Sequence, residues 1–235
     1  MKRNRDLPQK LLSHPWTVSL KRAAAIQTEL AQYVSLTPLA GEPELIGGVD
    51  SAYRDNTVYV AAVLIDMSSA RIVDIQYGHA TDKQPFPYAP GYLAFREAPA
   101  MLKVIRRLRH RPDLLFVAGH GVCHPRLCGI ASHIGLRASL PTIGCARERL
   151  VGHYQPPGAK TGDYSTVRYS PHAEGVVLRS REGVKPIFIS PGHRIDLLGA
   201  IAQTMRCLTK YRIPEPLRRA HIEAGKYMRS QRDES

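Results

Sequence analysis

The sequence predicts an α/β domain: a mixed central sheet, an antiparallel meander plus parallel strands, flanked by helices. Three strand-like runs, 45–53, 58–66 and 71–80, follow one another with only short turns between them, as in a meander. Beyond the loop at 85–93, helical and strand-like segments alternate, the pattern that layers helices on a sheet. Apolar residues make up 43% of the 235 residues, enough for a sizeable core in one domain.

The elements follow in order. Residues 1–16 are basic and polar and are expected as an N-terminal tail. From Thr17 to Val34 the period is helical, with Ile26, Leu30, Tyr33 and Val34 on one face. Thr17 is placed to cap it, and Pro38, Gly41 and Pro43 end it. Asp55-Asn56 and Ser68-Ser69 supply the turns of the meander. Met101, Ile105 and Leu108 then form one helical face, opposite Lys103, Arg106, Arg107 and Arg109. LLFVAG (114–119) reads as a buried strand ending in glycine. A helix over Ile130–Leu136, strands over 141–147, 175–180 and 186–190, and a helix from Arg194 to Leu208 complete the domain at 17–218. Residues 219–235 are expected as a polar, basic C-terminal tail.

Composition narrows the function. A net charge of +13 favours a polyanionic partner, nucleic acid above all. Four cysteines, Cys123, Cys128, Cys145 and Cys207, show no disulfide spacing, so a reduced, cytoplasmic protein is expected. No apolar run approaches the ~20 residues of a membrane span.

Carboxylates and histidines supply the chemistry. Asp50 stands in a strand, where aspartate is depleted, and alternation alone does not decide its burial. Glu97 lies at the mouth of the next helix, where the macrodipole alone would suit it. Together they could hold Mg²⁺ (or Mn²⁺), which needs few protein ligands when substrate phosphates and water complete its shell. His193, between a strand and a helix start, could move a proton or orient water. His120, Cys123, His124 and Cys128 lie close in sequence but lack the usual zinc spacing.

Six blocks in this order, IGGVDSAY, PYAPGYLAFREAP, FVAGHGVCHPRLCGIASHIGL, PTIGCARERLVG, PIFISPGHR and YRIPEP, resemble the endonuclease V family over residues 17–218. The resemblance implies a ribonuclease H-like fold, Mg²⁺ or Mn²⁺, a mostly monomeric chain, and hydrolysis of a phosphodiester 3′ to deoxyinosine or inosine in DNA or RNA. It assigns Asp50 and Glu97 to the metal, His193 to the active site and Arg147 to phosphate. Pro87, Tyr88, Ala89 and Pro90 match the wedge that parts the bases. Gly91, Leu93, Gly119, His124, Gly129 and Ile130 match the pocket for the extruded base. The chain departs from the family twice. Ala118 stands where a third metal carboxylate is usual, and Arg147 where lysine is usual. Impaired cleavage with retained binding is therefore expected, and a binding protein without nuclease activity is the alternative. Asp113 and Asp196 are the candidate replacement acids.

Overall fold

The computed structural model describes residues 7–81, 86–170 and 173–231. The meander is β1 (Leu45–Arg54), β2 (Thr57–Asp66) and β3 (Arg71–Thr81). Its turns form as the sequence suggests: Asp55 adopts φ +53°, and the Asp66 carboxylate accepts from the Ser68 and Ser69 amides. β4 (Leu114–Ala118) and β5 (Thr142–Ala146) extend the sheet in parallel to β1. β6 (Tyr164–Ser170), β7 (Ala173–Leu178) and β8 (Ile187–His193) complete it with antiparallel pairing. The order β3-β2-β1-β4-β5-β8-β7-β6 makes one eight-stranded mixed sheet. Helices flank it, so the expected ribonuclease H-like α/β class holds.

The helices are α1 (Gln9–Leu12), α2 (Leu20–Ala31), α3 (Leu93–Ile105), α4 (Ile130–Ala138), α5 (Leu197–Arg206) and α6 (Glu215–Ser230). Strand alternation sorts the core. Val49, Leu115 and Val117 pack with α3 and α4. Ile46, Leu114 and Phe116 pack on the other face, with Ala200 of α5 and Leu217 of α6. Among the described residues no helix is long and apolar enough to cross a membrane.

Several expectations need correction. Ser19, not Thr17, caps α2, accepting from the Arg22 amide at 3.3 Å. α3 begins at Leu93, so Glu97 lies in its second turn rather than at its mouth. The described part of the expected N-terminal tail packs on the domain: Leu11 is buried, and His14 meets His133 through their Nε2 atoms at 2.7 Å. The expected C-terminal tail is helical as far as Ser230. Its small residues Ala220 and Ala224 are fully buried, and α6 lies over β1 and β2. Both tails also include residues outside the described ones, and the first residue of the loop expected at 85–93 lies outside them too.

Candidate active site

The register of the parallel strands sets the floor of the site. Val49 pairs with Val117, so Asp50 and Ala118 stand side by side one residue further along. Alternation turns both toward the face that α6 covers. There the His221 ring meets Asp50, Nδ1 to Oδ2 at 2.9 Å. The other Asp50 oxygen accepts from the Ser51 amide at 2.8 Å.

Glu97 reaches the site from α3, on the opposite face. It is 5% exposed, and the Tyr53 hydroxyl donates to Oε1 at 2.5 Å. Burial is the main force on its acidity and pushes the pKa from 4.5 to about 7. Hydrogen bonds from Tyr53 and Ser51 pull it down, while the Asp50 charge pushes it up. A buried carboxyl beside a second carboxylate favours its proton unless a cation is present.

A cavity of about 580 Å³ joins these groups to the proline-rich loop. Tyr88, Ala89, Pro90, Gly91 and Leu93 line one side. Gly119, His124, Gly129 and Ile130 line another, and Arg147 stands just past β5 on the rim. Tyr88 is 82% exposed, an apolar ring held in solvent at the mouth. Pro87 is exposed beside it but does not line the cavity.

His193 does not join them. It ends β8 and pairs with Thr142, at the end of β5 away from Arg147. It is buried and accepts from the Ser35 amide at 3.2 Å through Nδ1. His221 is the histidine beside Asp50, within the segment expected as a tail. The apolar spacing of Leu217, Ala220 and Ala224 was the available signal for its helix. Tyr53 was likewise missed.

The other candidates have structural partners. Asp113 accepts from the Glu44 and Leu45 amides, and Asp196 caps α5 through the Gly199 amide. Burial pushes the Cys123 and Cys128 thiols up to about 11 and 12, and both His124 ring nitrogens are hydrogen-bonded. Among the described residues no three His, Cys, Asp or Glu side chains gather as a metal cluster. His120, Cys123, His124 and Cys128 do not form such a cluster. Asp50, Glu97 and Glu148 are the acidic side chains of the cavity wall among the described residues. Asp50 and Glu97 act on each other electrostatically, and such a pair could hold one hard cation that keeps water in its shell.

The acidity of Glu97 gives a test. Folding raises its pKa, so protonation favours the folded state. That contribution is full below about pH 4.5 and is lost as pH rises through about 7. Without divalent cations, stability is expected to fall by about 3 kcal/mol over this range relative to Glu97→Gln. Urea unfolding at a series of pH values measures the difference; parallel profiles would contradict it.

A family model described as Endonuclease V matches residues 28–222. The Endonuclease V of Roseiflexus sp. (strain RS-1) is 42% identical over 211 residues, covering 90% of this chain and 94% of that protein. The crystal structure of Endonuclease V from Streptomyces avermitilis is 38% identical with a TM-score of 0.84, covering 92% of this chain and 96% of that one. Ciona intestinalis Endonuclease V, 23% identical with a TM-score of 0.74, shares the fold over 90% of this chain and 98% of its own. That protein was crystallised with a 24-mer DNA containing an inosine followed by a ribo-adenosine. With the family model spanning the sheet from β1 to β8 and the first turns of α6 as far as His221, this chain belongs to the Endonuclease V family.

Proposed function

We propose that this chain binds nucleic acid containing inosine or deoxyinosine and retains a weakened centre for cutting a phosphodiester 3′ to that nucleotide. One observation carries the reading: the exposed Tyr88 tip, the glycine-lined pocket and the Asp50–Glu97 pair share a single cavity. The inosine-containing DNA held by the Ciona relative supports the substrate class. Extruding a base costs a few kcal/mol, and an inserted side chain can occupy the gap it leaves. Tyr88 and Pro90 are the groups at the cavity mouth for that task.

Asp50 and Glu97 would hold Mg²⁺ or Mn²⁺. Such a cation, when bound, supplies charge to polarise a phosphate and to acidify a water. His221 orients the Asp50 carboxylate, and Arg147 offers positive charge at the rim. Ala118 presents a methyl group beside Asp50, so a second cation lacks a ligand there. This substitution favours a second reading, recognition of inosine without cleavage.

Strands of equal sequence, with or without one deoxyinosine or inosine, distinguish the readings. Preferred binding of the modified strand, with slow cutting in Mg²⁺ or Mn²⁺, is expected. Equal affinity for modified and unmodified strands would sink both readings; binding with no cutting at any cation concentration leaves only the second. Tyr88→Ala is expected to weaken the preference for inosine by about tenfold, because its stacking in the vacated gap, about 1–3 kcal/mol, is available only where a base has been extruded. Competition binding against an unmodified strand measures it.

A further inference from the structure

The Gly91 carbonyl sits at the base of the wedge and receives three donors. Gln27 Nε2 donates from α2 at 3.0 Å. Arg126 Nη2 donates at 2.8 Å. His124 Nε2 lies at 2.8 Å. The Arg126 amide donates to His124 Nδ1 at 3.1 Å, so Nδ1 is an acceptor and Nε2 bears the proton in the neutral ring. Burial keeps that ring neutral by lowering its pKa to about 3. His124 therefore has no free ring nitrogen with which to read a base, although its ring lines the cavity.

Gln27 and Arg126 are themselves locked together. Arg126 Nε donates to Gln27 Oε1 at 2.7 Å, which fixes the orientation of the Gln27 amide because the guanidinium only donates. The second Gln27 bond runs from Nε2 to the Cys128 carbonyl at 3.2 Å, next to Gly129 in the pocket wall. The guanidinium also lies 4.2 Å over the Tyr92 ring. Gln27 is fully buried on α2, so hydration does not account for its polar head. Gly91 has φ +82°, and a Cβ there would meet Arg126 Nη2 at 3.1 Å and His124 Nε2 at 3.4 Å. The wedge base thus adopts a conformation suited to glycine while side chains hold its carbonyl.

We propose that Gln27 and Arg126 are positioning residues that clamp the Gly91 carbonyl, set the Tyr88–Pro90 tip against the pocket wall, and so govern discrimination of hypoxanthine from ordinary bases. The clamp follows from the hydrogen-bond geometry; its link to base discrimination rests on the function proposed above. Neither side chain needs to touch the base. Both act by removing alternative orientations of the tip before nucleic acid arrives, so less ordering cost falls on binding.

Two readouts separate the clamp from the function. Amide hydrogen exchange in the nucleic-acid-free protein reports the loop directly. Gln27→Leu and Arg126→Leu are each expected to speed exchange in residues 88–93 by about tenfold, the effect of losing a charge-assisted bond network. The double variant is expected to go no further than the faster single variant, because the two groups act as one unit. Exchange in α6 should stay unchanged. Arg126→Lys, which keeps the charge without the fork, supplies a milder variant if a buried leucine prevents folding. Unchanged exchange at residues 88–93 in folded variants would overturn the clamp.

The second readout is the affinity ratio between inosine-containing and unmodified strands. It is expected to fall about tenfold in each leucine variant, with affinity for the unmodified strand retained. Faster exchange with an unchanged ratio would overturn the link to discrimination. If the unsubstituted protein shows no preference for inosine, the proposed function falls, while the exchange result still decides the clamp.

Discussion

Ala118→Asp is expected to raise cation-dependent cutting of inosine-containing strands by about 10²-fold or more, through restored stabilisation of phosphate charge at the centre. The register gives the reason. Asp50 and Ala118 stand abreast on adjacent parallel strands and face the same side. Neighbouring strands lie about 4.8 Å apart, a separation at which two carboxylates can share a cation. The same closeness makes them repel when no cation is present. The variant should therefore be less stable than the parent in chelator and more responsive to added Mn²⁺. At a free concentration of about 100 times the dissociation constant, the cation should stabilise it by about 2.7 kcal/mol. Thermal melts with and without Mn²⁺ check this apart from catalysis. Robust cutting by the unsubstituted chain, with no gain in Ala118→Asp, would show that position 118 does not limit the reaction.

The site became legible wherever its residues sit on strongly patterned elements. β1 to β3 follow from alternation and from Asp55 and Ser68 in their turns, and Asp50 comes with them. Glu97 and the Tyr88 tip were found as parts of one motif, although the start of α3 was misplaced because Met101, Ile105 and Leu108 carry the apolar period. β6 was missed because it is an edge strand with Val167 as its buried apolar residue. α6 was missed because the contacts that seat it are made partly by alanines, whose small side chains permit close approach but give little hydrophobic signal. His221 was lost with it. His193 failed for another reason. It was expected beyond a strand ending at residue 190, whereas β8 runs on to His193 itself, and local pattern does not reveal the direction of that strand. β8 runs antiparallel to β5, which carries His193 to the far end of the sheet.

The seating of α6 leads to the other large expected effect. A Cβ on Gly48 would stand 2.2 Å from both the carbonyl carbon and oxygen of Pro216 and 2.6 Å from the Leu217 nitrogen. These are backbone atoms at the start of α6, so no rotamer change relieves the clash. A Cβ on the adjacent Gly47 would meet the Leu115 Cδ1 atom at 2.8 Å and the Pro112 ring at 3.3 Å, where the leucine tip can turn aside. The two Gly→Ala changes are chemically identical and lie on opposite faces of one strand. Gly48→Ala is expected to cost about 3 kcal/mol or more and Gly47→Ala about 1 kcal/mol, the range for overpacking with and without room to adjust. Urea unfolding measures both, and equal losses would contradict the argument. Function should divide in the same way. Lifting α6 from β1 draws His221 away from Asp50, while the Tyr88 tip and the Gln27–Arg126 network lie on other elements. In the Ala118→Asp background, Gly48→Ala should therefore lose cutting while inosine binding persists. Gly47→Ala should retain both. That division would show that α6 serves the chemistry of the centre and the proline-rich loop serves recognition.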